Sequence, residues 1–230
     1  MGHNYTGVDN LNVLSIAKNY NEFLLKEILF YAEGGSELLD FGAGIGTYAI
    51  PLRERGARVT CVEPDFQLGI KLKGLDFKVY PDISEILPQA FEFIYSLNVL
   101  EHIEDDLTAL RELSGRLKPG GRLFLYVPAF QVLYSSMDKK VGHFRRYTAR
   151  GLVAKLTTAG FVVEQVRYVD SLGYVFTALY KLFGDKRGDI DIKAVKIYDS
   201  FFFPISRFLD RVFGFCVGKN LEVVAKKRMP

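Results

Sequence analysis

The chain has few cysteines, little net charge and no long apolar run. Two cysteines, Cys61 and Cys216, in 230 residues make no disulfide framework. Both have apolar neighbours and read as packed, reduced thiols of a cytoplasmic protein. A net charge of +3 does not point, in bulk, to nucleic acid or anionic lipid. The amino terminus lacks the basic and apolar regions of a leader, and no run approaches the ~20 apolar residues of a membrane span. There is no internal repeat and no low-complexity segment. The opening "MGHNYT" fits the loose patterns for myristoylation (Gly2, Thr6) and for glycosylation (Asn4-Tyr5-Thr6), both short and without supporting context.

What is present is an alternation. A hydrophobic content of 49% over this length predicts one domain, residues 1–230. Helical spacing runs from about Asn10 to Ala32 and stops at Gly34-Gly35. A strand follows at Glu37–Phe41, then a helix from Thr47 to about Arg55. "ARVTCVE" is a second strand, "DFQLGIKLK" a short helix and "LDFKVY" a third strand. "FEFIYSLN" is a fourth strand, Asp105 or Asp106 caps the next helix, and "GRLFLYVP" is a fifth strand. Apolar strands alternating with helices predict an α/β fold with a parallel sheet covered on both faces. In such a fold ligands bind beyond the carboxyl ends of the strands, at the switch point.

The first strand ends in "LLDFGAGIGTYAI", with Gly42, Gly44 and Gly46 at alternate positions. Bare backbone at a strand-to-helix turn allows a tight turn and close approach of a ligand. The spacing is G-x-G-x-G, not the G-x-G-x-x-G of pyrophosphate binders. Asp40 repels phosphate and suits a ligand carrying a cationic amine. Glu63, in "VTCVEPD", lies near the ~20-residue offset at which an acid reaches a ribose. Its two oxygens can accept from the 2′ and 3′ hydroxyls.

These stretches, with "YPDISEIL" and with "VLEH" and "LKPGG" inside a long segment from Phe91 to Pro128, resemble the class I S-adenosylmethionine-dependent methyltransferases of the small-molecule type (methyltransferase type 11/12-like). The resemblance covers about Leu38 to Phe161. It implies a Rossmann-like, doubly wound, mainly parallel seven-stranded sheet whose last strand is antiparallel, with a helical insertion before that strand. It implies S-adenosylmethionine as donor and S-adenosylhomocysteine as product. By position, Gly42, Gly44 and Gly46 would flank the methionine part, with Asp40 near its ammonium and Glu63 on the ribose. Asp82 and the Ile83 amide would meet the adenine, and the Asn98 carbonyl the ammonium. Leu100, Glu101 and His102 would follow beside the donor, with Tyr20 as cover. Helix capping accounts equally well for Asp82, and core packing for Tyr20.

Methyl transfer from a sulfonium calls for no metal. It needs an in-line acceptor, exclusion of water, and a base only where the acceptor loses a proton. His3 lies in the terminus. His102 either holds its loop or faces the cofactor. His143 sits in "VGHFRRYT", with Arg145 and Tyr147 beside it and Thr148 capping a helix. Either this is an acceptor clamp with His143 as base, or it is a loop docked by salt bridges.

The expected layout is a helical cover (1–35), a cofactor core (36–169), an aromatic helical insertion (170–220) and a last strand with tail (221–230). "FVVEQVRYV" and "LEVVAKK" are the sixth and seventh strands, and "GDKRGDID" divides the insertion into two arms. On the second arm Phe201, Ile205, Phe208, Leu209, Val212 and Phe213 form an apolar stripe. It reads as core or a homodimer face, or as a cap or membrane-surface contact in which Phe202 and Phe208 present an apolar wall to a hydrophobic, lipid-like acceptor. Two other functions share the fold: a methyltransferase-like binding protein without activity, and a nicotinamide-dependent oxidoreductase. The glycine spacing and "VLEH" oppose the second. Asn98 is followed by valine, not proline, which opposes amino-group methylation of nucleic acid or glutamine.

Overall fold

The computed structural model describes residues 15–32, 37–183 and 191–229. Residues 10–14 of the expected first helix, the Gly34-Gly35 stop, His3 and most of the "GDKRGDID" turn lie outside the described residues. The elements are α1 (Lys18–Tyr31), β1 (Glu37–Phe41), α2 (Ala49–Glu54), β2 (Arg58–Val62), α3 (Phe66–Gly74), β3 (Lys78–Tyr80) and β4 (Phe91–Leu97). Then come α4 (Asp106–Arg116), β5 (Leu117–Pro128), α5 (Ser136–Val141), α6 (Ala149–Thr158) and β6 (Phe161–Val169). The insertion carries α7 (Ser171–Phe183), α8 (Ile192–Ile197) and α9 (Phe203–Phe213), and β7 (Asn220–Lys227) closes the sheet.

The strands form one sheet in the order β3-β2-β1-β4-β5-β7-β6. β1 to β5 pair in parallel, and β7 runs antiparallel between β5 and β6. Side chains alternate across the sheet and feed two cores. Leu39, Leu123 and Leu125 face α4 and α6 on one side, while Leu38, Phe124 and Tyr126 face α1 and α2 on the other. The seven-stranded architecture is the one the sequence leads one to expect. β5 begins earlier than expected, at Leu117, because "LKPGG" continues the pairing with β4 across a bulge.

Strand order reverses between β1 and β4, so the loops after these strands open a crevice at their carboxyl ends. The insertion is fastened beside that crevice by its acids. Asp199 accepts from the Asn19 and Tyr20 amides at 3.0 and 2.9 Å, so it caps α1, which has no side-chain cap of its own. Asp210 accepts from the Asp170 and Ser171 amides, both at 2.9 Å, at the start of α7. The buried Asp170 carboxylate accepts from Ser206 Oγ at 2.8 Å and from the Tyr198 hydroxyl. A π-helical turn, Tyr198–Phe202, joins α8 to α9 just before Pro204, whose ring nitrogen cannot donate backwards along the helix.

Candidate active site

Two loops touch at the switch point. Gly42 has φ +86°, and a Cβ there would lie 2.3 Å from Val99 Cγ2 of the loop after β4, so only glycine fits. Gly44 and Gly46 also have positive φ. The Gly44 amide donates to Glu63 Oε2 at 2.6 Å, and the Asp65 amide to Glu63 Oε1 at 2.9 Å. A carboxylate offers about four acceptor positions, so each oxygen retains one for a ligand. Burial pushes the Glu63 carboxyl up, and the two amides pull it back.

Asp40, at the end of β1, is buried, and its Oδ2 has no hydrogen-bond partner. Burial pushes its carboxyl up to about 7, against the pull of the Tyr95 hydroxyl beside it. An orphaned buried carboxyl of this kind fits a ligand that brings a cation. Asn98, at the end of β4, holds φ +54°, a region few non-glycine residues adopt. Tyr20 packs edge-on to Tyr126 at 5.9 Å, and its hydroxyl reaches the Asn98 side chain. The structure therefore brings Asp40, Gly42, Gly44, Gly46, Glu63, Asn98 and Tyr20 around one crevice. The donor set, with one orphaned anion, one ribose-type carboxylate and a cradle that a Cβ would fill, fits S-adenosylmethionine. Asp82 lies at the end of β3, exposed, where it caps the turn Ile83–Glu85 through the Ser84 amide at 2.7 Å. The Leu100 side chain is in the core and its carbonyl accepts from the Tyr147 hydroxyl, which anchors the loop.

In the segment after β5, His143 Nδ1 lies 2.8 Å from Asp138 Oδ1. Asp138 is buried and also bound by Arg146 through both oxygens, Nε to Oδ1 at 2.8 Å and Nη2 to Oδ2 at 2.9 Å. Burial would raise its carboxyl, but the His143 and Arg146 hydrogen bonds outweigh it and hold the carboxyl at about 2. An ionised carboxylate cannot donate, so Nδ1 carries the hydrogen, and it is Nε2 that holds the lone pair in the neutral tautomer. His143 Nε2 lies 3.8 Å from Glu101 Oε1. The His102 ring stands edge-on to His143 at 4.6 Å, and burial together with the neighbouring imidazole lowers it to about 4, so it is neutral. Glu101 is fully buried with both carboxyl oxygens unpartnered. Glu101, His102 and His143 each offer a ligating atom within 4.8 Å of the others.

Several expected contacts are made elsewhere. Arg145 is bound to Asp106 Oδ2 at 2.9 Å and to the Glu104 carbonyl at 2.7 Å. Tyr147 is buried with its hydroxyl on Asp106 Oδ2 at 2.9 Å. Both dock the loop through Asp106. Phe208 is 65% exposed, and Phe202 packs half-buried on Phe176 at 4.9 Å. Cys61 is buried as expected, but Cys216 is exposed. Asp138 was not singled out from the sequence, and Arg146 was read only as one of the cationic groups of "VGHFRRYT", without its partner. Their signal was the Ser-x-x-Asp capping box at Ser135–Asp138 and the second arginine of "HFRRYT".

Glu101 has a consequence for stability. Burial, above all, pushes its carboxyl up to about 8 from 4.5. The native state therefore keeps a proton that the unfolded chain releases, and stability is lost as pH rises from the lower value through the upper one. Glu101→Gln keeps the neutral shape. We expect no change in melting temperature near pH 4 and a clear rise near pH 8, worth up to a few kcal/mol. Equal melting temperatures at both pH values would show that the carboxyl is not held neutral.

Residues 15–166 match the family model described as a methyltransferase domain. A ubiquinone biosynthesis O-methyltransferase of Xanthomonas euvesicatoria pv. vesicatoria is 31% identical over 155 residues, covering 57% of this chain and 65% of that protein. The protein of the same name from Xanthomonas campestris pv. campestris is 32% identical over 101 residues, covering 40% of this chain and 42% of that protein. The chain thus spans less than two thirds of the length of these relatives. A solved S-adenosylmethionine-dependent methyltransferase from Thermotoga maritima superposes with a TM-score of 0.61 at 17% identity, covering 97% of this chain and 98% of that one. That likeness establishes the shared fold.

Proposed function

We propose that this chain, which belongs to the methyltransferase-domain family, is an S-adenosylmethionine-dependent methyltransferase that methylates a hydroxyl of a hydrophobic small molecule, with His143 taking the proton. The observation that carries this reading is the Asp138–His143 pair, with Nε2 bare and an imidazolium position between two carboxyl groups. A base so placed is useful where the acceptor loses a proton on attack, as a hydroxyl does. The bound donor supplies an activated methyl group. Asp40, Glu63 and the glycine turn hold and orient it, and Tyr20 covers its methionine end. The relatives named as O-methyltransferases act on oxygen, which supports the same acceptor atom. Phe130, on the segment that leads from β5 to His143, stacks on Tyr168 of β6 at 4.5 Å, with Tyr174 of α7 edge-on at 5.4 Å, and this aromatic cluster favours an apolar molecule.

Labelled donor offered to pools of phenols, aliphatic alcohols, amines and carboxylic acids tests this directly. We expect label on an O-methyl ether from an apolar phenol or alcohol. Label predominantly on nitrogen would overturn the reading.

A second reading rests on the unpartnered oxygens of Glu101. In it Glu101, His102 and His143 hold a divalent cation, which compensates the buried carboxylate and orients the acceptor oxygen, while Asp138 fixes the ring of His143 from behind. The sequence called for no metal. Activity that disappears on chelation and returns with magnesium or zinc favours this reading, and activity indifferent to chelation favours the proton acceptor.

A further inference from the structure

Among its described residues the insertion turns most of its acids inward and, Arg207 and Lys219 apart, its bases outward. Asp170, Asp199 and Asp210 are all engaged as acceptors within the fold. Among the described residues of 171–219, the exposed charges are Asp191, itself a helix cap, and the basic Lys181, Lys193, Lys196 and Arg211. The apolar side chains have gone the same way as the bases. Phe201, Ile205, Phe208 and Val212 follow one another at four, three and four residues, one face of a helix, and all are exposed. On α7 Leu179, Leu182 and Phe183 are exposed too, the last at 81%. The inward face of α9 is held by Phe203, Ser206 and the Asp210 carboxylate. Exposed apolar surface on this scale marks a contact.

We propose that this face lies on the surface of an anionic lipid bilayer. An apolar helical stripe flanked by lysine and arginine, without a spanning segment, is the pattern of a helix lying in the interface. No described helix is long and apolar enough to cross a membrane. A second copy of the chain fits less well, because a two-fold contact would bring one basic flank against another. The placement also suits the acceptor side. Lys181 at the end of α7 bonds the Val132 carbonyl at 2.6 Å, and Tyr174 packs on Phe130, so the apolar face continues into the loop that carries the acceptor side. This segment lies beyond the residues that match the family model.

Co-sedimentation of the full chain with phosphatidylcholine vesicles, with and without an equal part of phosphatidylglycerol, tests the proposal. We expect at least about tenfold stronger partition onto the anionic vesicles, weakened by salt. Lys193→Glu with Lys196→Glu should cut that partition about thirtyfold or more. Phe201→Ser with Phe208→Ser should cut it at least about tenfold. Donor affinity by calorimetry should be unchanged in both, showing an intact fold. Absence of vesicle binding by the parent protein, or equal binding by parent and both variants, overturns the proposal. So does a dimer that the phenylalanine variant converts to monomer without loss of vesicle binding, since the face then belongs to a second copy.

Discussion

Replacing His143 by alanine is expected to lower turnover about 10²–10⁴-fold while affinity for the donor stays unchanged. The separation follows from the geometry. His143 touches Asp138, Glu101 and His102, whereas Asp40, Glu63 and the glycine turn belong to the other side of the switch point. Asp138 fixes the ring by holding Nδ1–H, and a proton accepted at Nε2 leaves an imidazolium stabilised by the same carboxylate. Asp138→Asn should reproduce the loss, but it also leaves the buried Arg146 without its counter-charge and should cost several kcal/mol of stability. His143 is therefore the cleaner site. The check is single-turnover transfer beside calorimetric donor binding. Unchanged turnover per folded molecule would reduce His143 to a loop anchor.

The donor half was legible because its signals are local. Gly42, Asp40 and Glu63 sit at the ends of adjacent parallel strands, β1 and β2, paired from Glu37↔Arg58 to Phe41↔Val62. Once the apolar runs are read as neighbouring parallel strands, the register places those residues together without further information. The seventh strand was legible for the same reason, as a run buried from Asn220 to Ala225 that is apolar but for Asn220 and Glu222, the latter bound by Arg167 Nε at 2.7 Å.

The acceptor half was not, because its partners are far apart in sequence. Nothing in "HFRRYT" says which arginine meets which acid. A bridge between Ala129 and Tyr147 decides it: extended backbone sends Arg145 and Tyr147 to Asp106, and Arg146 the other way to Asp138. The aromatic arm failed differently. A period of 3.6 identifies an amphipathic helix but not which face is inside, and an apolar face is expected to be buried. Here Phe203 with hydrogen-bonded Asp199, Ser206 and Asp210 forms the inner face, because these side chains cap the starts of α1 and α7, and the aromatic stripe is left outside.

Glu63→Ala is expected to weaken donor binding by roughly 2–4 kcal/mol, about thirty- to a thousandfold, the worth of two charge-assisted hydrogen bonds. The Gly44 and Asp65 amides hold the two oxygens apart before any ligand arrives, so the carboxylate loses little freedom on binding. They also make the conservative replacement a poor one. In Glu63→Gln the amide group must turn its NH2 toward one of two backbone N–H donors, at 2.6 or 2.9 Å, and one of those bonds becomes a repulsion between donors. Gln should therefore bind the donor little better than Ala, which a simple loss of negative charge on an exposed residue would not produce. Calorimetric titration of the three proteins with S-adenosylmethionine, and the rise in melting temperature it induces, gives both readings. If Glu63→Ala binds as tightly as the parent protein, the ribose lies elsewhere and the assignment of the crevice at the ends of β1 and β4 as the donor site is wrong.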